Sequence, residues 1–157
     1  MTFIKENYFK SSSETSSPSQ LMSTTYTEIE GSKTSIEKIN ISSDLYYFFS
    51  FSTMPKDLEK TFLHVKLQKS NDDFSSNIVD VTNCNYNFST DTSGGTDHLY
   101  KVNNVMFIVQ NTSNDSLRLV ARAYSSSNRA NLHYTPHFDG TASNTKYYYP
   151  TLIVKEL

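Results

Sequence analysis

From Thr24 onward, apolar and polar residues alternate with a period of two, in runs of five to ten residues separated by polar turns. Successive side chains of a strand point to opposite faces, so this alternation buries one face and leaves the other wet. In residues 61 to 69, Leu63, Val65 and Leu67 share one side, while Phe62, His64, Lys66 and Gln68 share the other. In residues 117 to 124, Leu117, Leu119, Ala121 and Ala123 oppose Arg118, Val120, Arg122 and Tyr124. The same reading predicts strands over 24–30, 34–42, 45–53, 61–69, 77–82, 98–102, 104–111, 117–124 and 147–156.

Composition points the same way. The 157 residues include 24 Ser, 17 Thr and 14 Asn, against four Ala and four Gly. Ser, Thr and Asn draw the backbone into short local hydrogen bonds that compete with a helix, whereas Thr and the eleven Tyr and ten Phe suit a pleated sheet. The expected fold is all-β: a single antiparallel β-sandwich, jelly-roll-like or immunoglobulin-like, of about eight or nine strands over residues 24–157. No internal repeat favours a propeller or solenoid. Fourteen basic against sixteen acidic residues produce no field that would hold nucleic acid by phosphate neutralisation. No apolar run approaches the roughly 18 residues of a membrane span, and residues 1 to 25 lack the apolar centre of a signal peptide. Neither a nucleic-acid nor a membrane partner is expected, and synthesis is expected in a cytoplasm. Cys84 is the only cysteine, which excludes a disulfide scaffold and a zinc ribbon.

Residues 1–23 read as an arm with a tether. Phe3, Ile4, Tyr8 and Phe9 lie within the first nine residues, and ten of the sixteen residues from Lys10 to Thr25 are Ser or Thr. That second stretch has too little apolar surface to offset its ordering entropy. The four apolar residues ahead of it are expected either to dock on a partner or neighbouring subunit, or to add a first strand to the domain's own sheet. Three segments, Leu45 to Phe49, Val105 to Val109 and Tyr147 to Val154, are apolar or aromatic on both faces. A two-layer sandwich buries one face of each sheet, so their second face calls for cover by the arm, a loop or another chain. Pro150 cannot donate to a ladder, which places the last strand at an edge or a bulge, with Tyr147, Tyr148 and Pro150 as a contact surface.

Chemistry-bearing residues are sparse. His133, His137 and Asp139 are residue types that bind transition metals, but Pro136 argues against the helix that would align the two imidazoles, and ordinary loop histidines are the simpler reading. Asp91 to Asp97 offers oxygen ligands around a Gly-Gly turn without calcium-loop spacing, as a hairpin loop would. No nucleophile elbow, phosphate loop or cysteine–histidine signature occurs, so neither an enzyme nor a cofactor is expected. Arg118, Arg122 and Arg129 are the only arginines, and the first two share a strand face that suits an acidic partner surface or pairing with nearby acids. Sandwich lectins use aromatic platforms with Asn, Asp and Arg, which keeps Tyr124 and Tyr134 as glycan-binding candidates.

A short apolar N-terminal segment, a Ser/Thr tether and a Tyr- and Asn-rich sandwich without catalytic residues resemble, in layout, the small auxiliary virion proteins of tailed phages, of capsid-decoration or head-fibre type. That resemblance implies a structural role in a virion and partners among major capsid or other virion subunits, with homo-oligomerisation. The reading from the residues is a non-enzymatic assembly protein, with a carbohydrate-binding or adhesin module as the alternative.

Overall fold

The computed structural model describes residues 2–8, 20–37, 42–55, 61–90, 101–110, 115–126, 129–136, 145–147 and 150–157. Within them the chain is all-β, with two antiparallel sheets packed face to face. In chain order the strands are β1 (Thr2–Tyr8), β2 (Gln20–Leu21), β3 (Thr27–Glu28), β4 (Thr34–Ser35), β5 (Leu45–Pro55), β6 (Thr61–Ser70), β7 (Val79–Thr90), β8 (Lys101–Val109), β9 (Ser116–Ala123), β10 (Ala130–Leu132), β11 (Tyr134–Pro136), β12 (Thr145–Tyr147) and β13 (Thr151–Glu156). Seven of these thirteen are six residues or longer; the other six are two- or three-residue pieces, which is why the alternation suggests fewer strands.

The first sheet is built on β5. One edge of β5 pairs with β8 along Leu45 to Thr53; its other edge pairs with β13 and then, from Thr53, with β10, which carries β2. β1 pairs with the far edge of β13. Of the two expectations for the N-terminal segment, residues 2–8 therefore take the in-sheet one. β13 is flanked on both sides, so it is not the edge strand that Pro150 suggests. The missing donor is accommodated differently: β12 ends at Tyr147, and Pro150 lies buried just ahead of β13, where no ladder bond is required.

The second sheet runs β7–β6–β9, with β3 and β4 end to end along the outer edge of β9. Ser32 joins those two short strands. Its hydroxyl accepts from the Leu119 N–H at 3.0 Å and donates to the Ile29 carbonyl at 2.6 Å, so a ladder broken by the turn at Gly31 (φ 80°) leaves no orphaned donor there. Tyr47, fully buried from the facing sheet, donates to the Ser32 carbonyl at 2.5 Å.

The core lies where the alternation predicts. Leu63, Val65 and Leu67 of β6 and Leu117, Leu119, Ala121 and Ala123 of β9 meet Tyr47, Phe49 and Phe51 of β5 and Val105, Phe107 and Val109 of β8. Phe51 meets Phe88 edge-on at 5.7 Å and Tyr86 lies 5.4 Å from Phe107, so rings of β7 bridge the two sheets. Several boundaries differ from the sequence reading: the strand expected over 24–30 shortens to Thr27–Glu28, that over 34–42 to Thr34–Ser35 among the described residues, and that over 147–156 is divided between β12 and β13. β7 continues well past residue 82, because the Asn-rich stretch to Thr90 pairs with β6 despite its polar character. The described parts of the predicted strands 98–102 and 104–111 run together as β8, since Asn103 is buried with its amide donating to Thr53 Oγ1 at 2.8 Å instead of turning the chain.

Candidate functional site

The two sheets present chemically different outer faces. On the first sheet, even-numbered residues of β5 and β8 point outward. The ladder sets Phe48 opposite Met106 on one side and Ile153 on the other, and Tyr46 opposite Ile108 and Lys155. Residues 45–49, 105–109 and the 151–154 part of the third doubly apolar segment thus lie on adjacent strands of one sheet, whereas Tyr147 belongs to the β11–β12 ribbon. Part of that surface is covered within the chain: Ser50 and Ser52, outward by the same alternation, are buried at the end of β5 that β11 approaches. The other end is open. Met106 is 54% exposed and Ile108 47%, beside half-buried Tyr46, Phe48 and Ile153, while Val102, 42% exposed, stands opposite Ser52.

β8 also forms an edge, since no strand pairs with its second side among the described residues. Opposite Leu67 alone, β7 carries four residues, 81 to 84, as a bulge with Asn83 in the left-handed region (φ 61°). Between this bulge and β8 lies a groove of about 840 Å³ whose walls include Val79, Tyr86, Met106 and Ile108. Cys84 also reaches it, a buried free thiol whose pKa burial pushes up.

The outer face of the second sheet is cationic and aromatic. Arg118 is engaged within the chain: Nε and Nη2 donate to Gln68 Oε1 at 3.1 and 3.0 Å, Nη1 donates to Glu28 Oε2 at 3.2 Å, and the guanidinium lies 4.1 Å from the Phe74 ring centroid. Of the two expectations for this residue, the structure has pairing with a nearby acid. Lys66 is tied to Asp80 at 2.6 Å. Arg122 differs, because its neighbour is a ring, Tyr26, 5.2 Å from the guanidinium, and it has no carboxylate partner among the described residues. The Tyr26 hydroxyl is 2.7 Å from His64 Nδ1. His64 is held below its ordinary pKa by burial first and then by Arg122 and Lys66, with Asp80 opposing, so the ring is neutral at neutral pH.

Beyond these residues a pocket of about 510 Å³ opens between Phe62, His64, Asn87, Arg122 and Tyr124. The Tyr124 N–H donates to the Phe62 carbonyl at 3.0 Å, extending the β6–β9 ladder, and the two rings meet edge-on at 6.4 Å. Tyr124 is 80% exposed. The structure therefore unites Arg122 and Tyr124 of the sequence candidates and adds Phe62, His64 and Asn87. The β6 alternation already places Phe62 and His64 on a wet face; Asn87 lies beyond the predicted end of its strand, so no local signal reaches it.

The remaining candidates lie elsewhere. Phe3, Ile4 and Tyr8 are on β1, and Tyr134 pairs with Tyr147 across the β11–β12 ribbon. Phe9, Tyr148, His137, Asp139 and the loop Asp91 to Asp97 fall outside the described residues. His133 is buried, at φ 61°, and neither ring nitrogen has a hydrogen-bond partner among the described residues; the Glu30 backbone is near without meeting hydrogen-bond geometry. Burial depresses its pKa to about 4. Among the described residues, no three of His, Cys, Asp and Glu cluster as a metal site would require, and no helix is long and apolar enough to cross a membrane. Compared with family models, with curated proteins and with solved structures, the chain matches none.

Proposed function

We propose that this chain is a non-enzymatic structural subunit of a virion or comparable assembly, packing against copies of itself or neighbouring subunits through the outer face of β8, β5 and β13. The observation that carries this reading is the alignment of residues 45–49, 105–109 and 151–154 on neighbouring strands, with Val102, Met106 and Ile108 exposed on an edge strand that has no second partner among the described residues. An exposed apolar edge strand invites pairing, and natural proteins block it with charges or proline. β8 has no proline, and Lys101, at its very end, is its only charge. The virion setting rests on the sequence layout alone, a short apolar N-terminal segment and a Ser/Thr-rich stretch ahead of a Tyr- and Asn-rich sandwich.

Light scattering over a range of concentrations tests the assembly role. The wild-type chain is expected to form a defined oligomer, and M106D/I108D, altered only at exposed side chains, is expected to be a folded monomer. An unchanged mass in the double variant would exclude this face as the contact.

A further inference from the structure

The pocket on the opposite sheet carries an inference independent of assembly. Its lining combines an exposed aromatic ring, an amide, a neutral imidazole and an arginine, and each narrows the ligand. At about 510 Å³ it is the size of a small-molecule site. The cations deeper on this face are neutralised within the chain, Lys66 by Asp80 and Arg118 by Glu28. Arg122 is instead held against the Tyr26 ring, which positions a guanidinium without satisfying its donors. A single planar cation matches a planar monoanion, for which two parallel N–H donors are the natural partners. The exposed Tyr124 ring, with Phe62 edge-on against it, offers an apolar aromatic face beside that charge. Asn87 and His64 supply donors and acceptors on the facing strands. A ligand with one ring, one carboxylate and several hydroxyls uses all of these groups.

We propose that this pocket binds a carboxylated sugar, with the pyranose ring against Tyr124 and the carboxylate on Arg122. Hydroxyls on the ring's edge face Asn87 and His64. The neutral imidazole serves such a ligand well: in the tautomer where the Tyr26 hydroxyl donates to Nδ1, the proton on Nε2 is free to donate.

Calorimetric titration of the full chain with glucuronic acid and with N-acetylneuraminic acid tests the proposal, with glucose and acetate as comparisons. At least one acidic sugar is expected to bind saturably. R122Q and Y124A are each expected to weaken it about ten-fold or more, with thermal unfolding unchanged because both side chains point to solvent. Y124F is expected to bind as wild type. Equal affinity for glucose, or undiminished binding in R122Q, would remove the carboxylate from the argument. Acetate binding as tightly as the sugars would reduce the site to an anion contact, and no saturable binding of either acidic sugar would overturn the proposal.

Discussion

At the scale of single residues, His133 shows how burial overrides the chemistry that a motif suggests. Its spacing to His137 hints at metal ligation, yet it is a core residue whose ring is kept neutral by desolvation. The stability consequence has a definite sign. An unfolded chain takes up a proton as pH falls through about 6.5, whereas the folded ring resists until about 4, so the contribution is complete above 6.5 and drains away between those values. Over that window wild type is expected to lose on the order of 3 kcal/mol through this group. In H133N, whose side chain does not titrate and tolerates a left-handed backbone, that part of the loss should vanish. Denaturant unfolding at pH 7, 5.5 and 4 measures it; parallel losses in the two proteins would refute the assignment.

Among elements, the N-terminal pieces contribute unequally. β1 adds a strand to β13, whereas the segment from Gln20 to Met22 is tied into the body. Gln20 Nε2 donates to the Glu28 carbonyl and its Oε1 accepts from the Glu30 N–H, and Met22 is fully buried. Truncations should therefore separate the two. A chain beginning at Ser23 loses a core methionine and is expected to be destabilised by about 2–5 kcal/mol relative to one beginning at Ser19, which lacks β1 but keeps that contact. Equal stability of the two truncated chains in urea would show that Met22 contributes little. Legibility at this scale was uneven for a physical reason. β6 and β9 could be read to within a residue or so because their alternation is the direct imprint of one buried face. β7 beyond residue 82 could not, since an Asn-rich strand is held by the backbone of its neighbour and carries little hydrophobic signal.

For the molecule as a whole, the sandwich keeps two outer faces apart, one apolar and one cationic-aromatic. The core separates them, so their functions should separate as well: M106D/I108D is expected to retain acidic-sugar binding, and R122Q is expected to retain the wild-type oligomeric mass. A shift of both properties by either variant would mean that the faces are coupled through the core. The sequence by itself determined the fold class, the inward and outward sets of β6 and β9, and the surplus of apolar surface in three segments, because alternation along a strand is a local property. Only the tertiary structure decided that β5, β8 and β13 bring apolar stretches side by side, that β13 is flanked on both sides despite Pro150, that Arg118 pairs with a carboxylate while Arg122 lies on a ring, and that Asn87 joins Tyr124 in a pocket. Each of these depends on which strand lies beside which and in what register, and pairing between residues far apart in the chain leaves no mark in the order of residues along either strand.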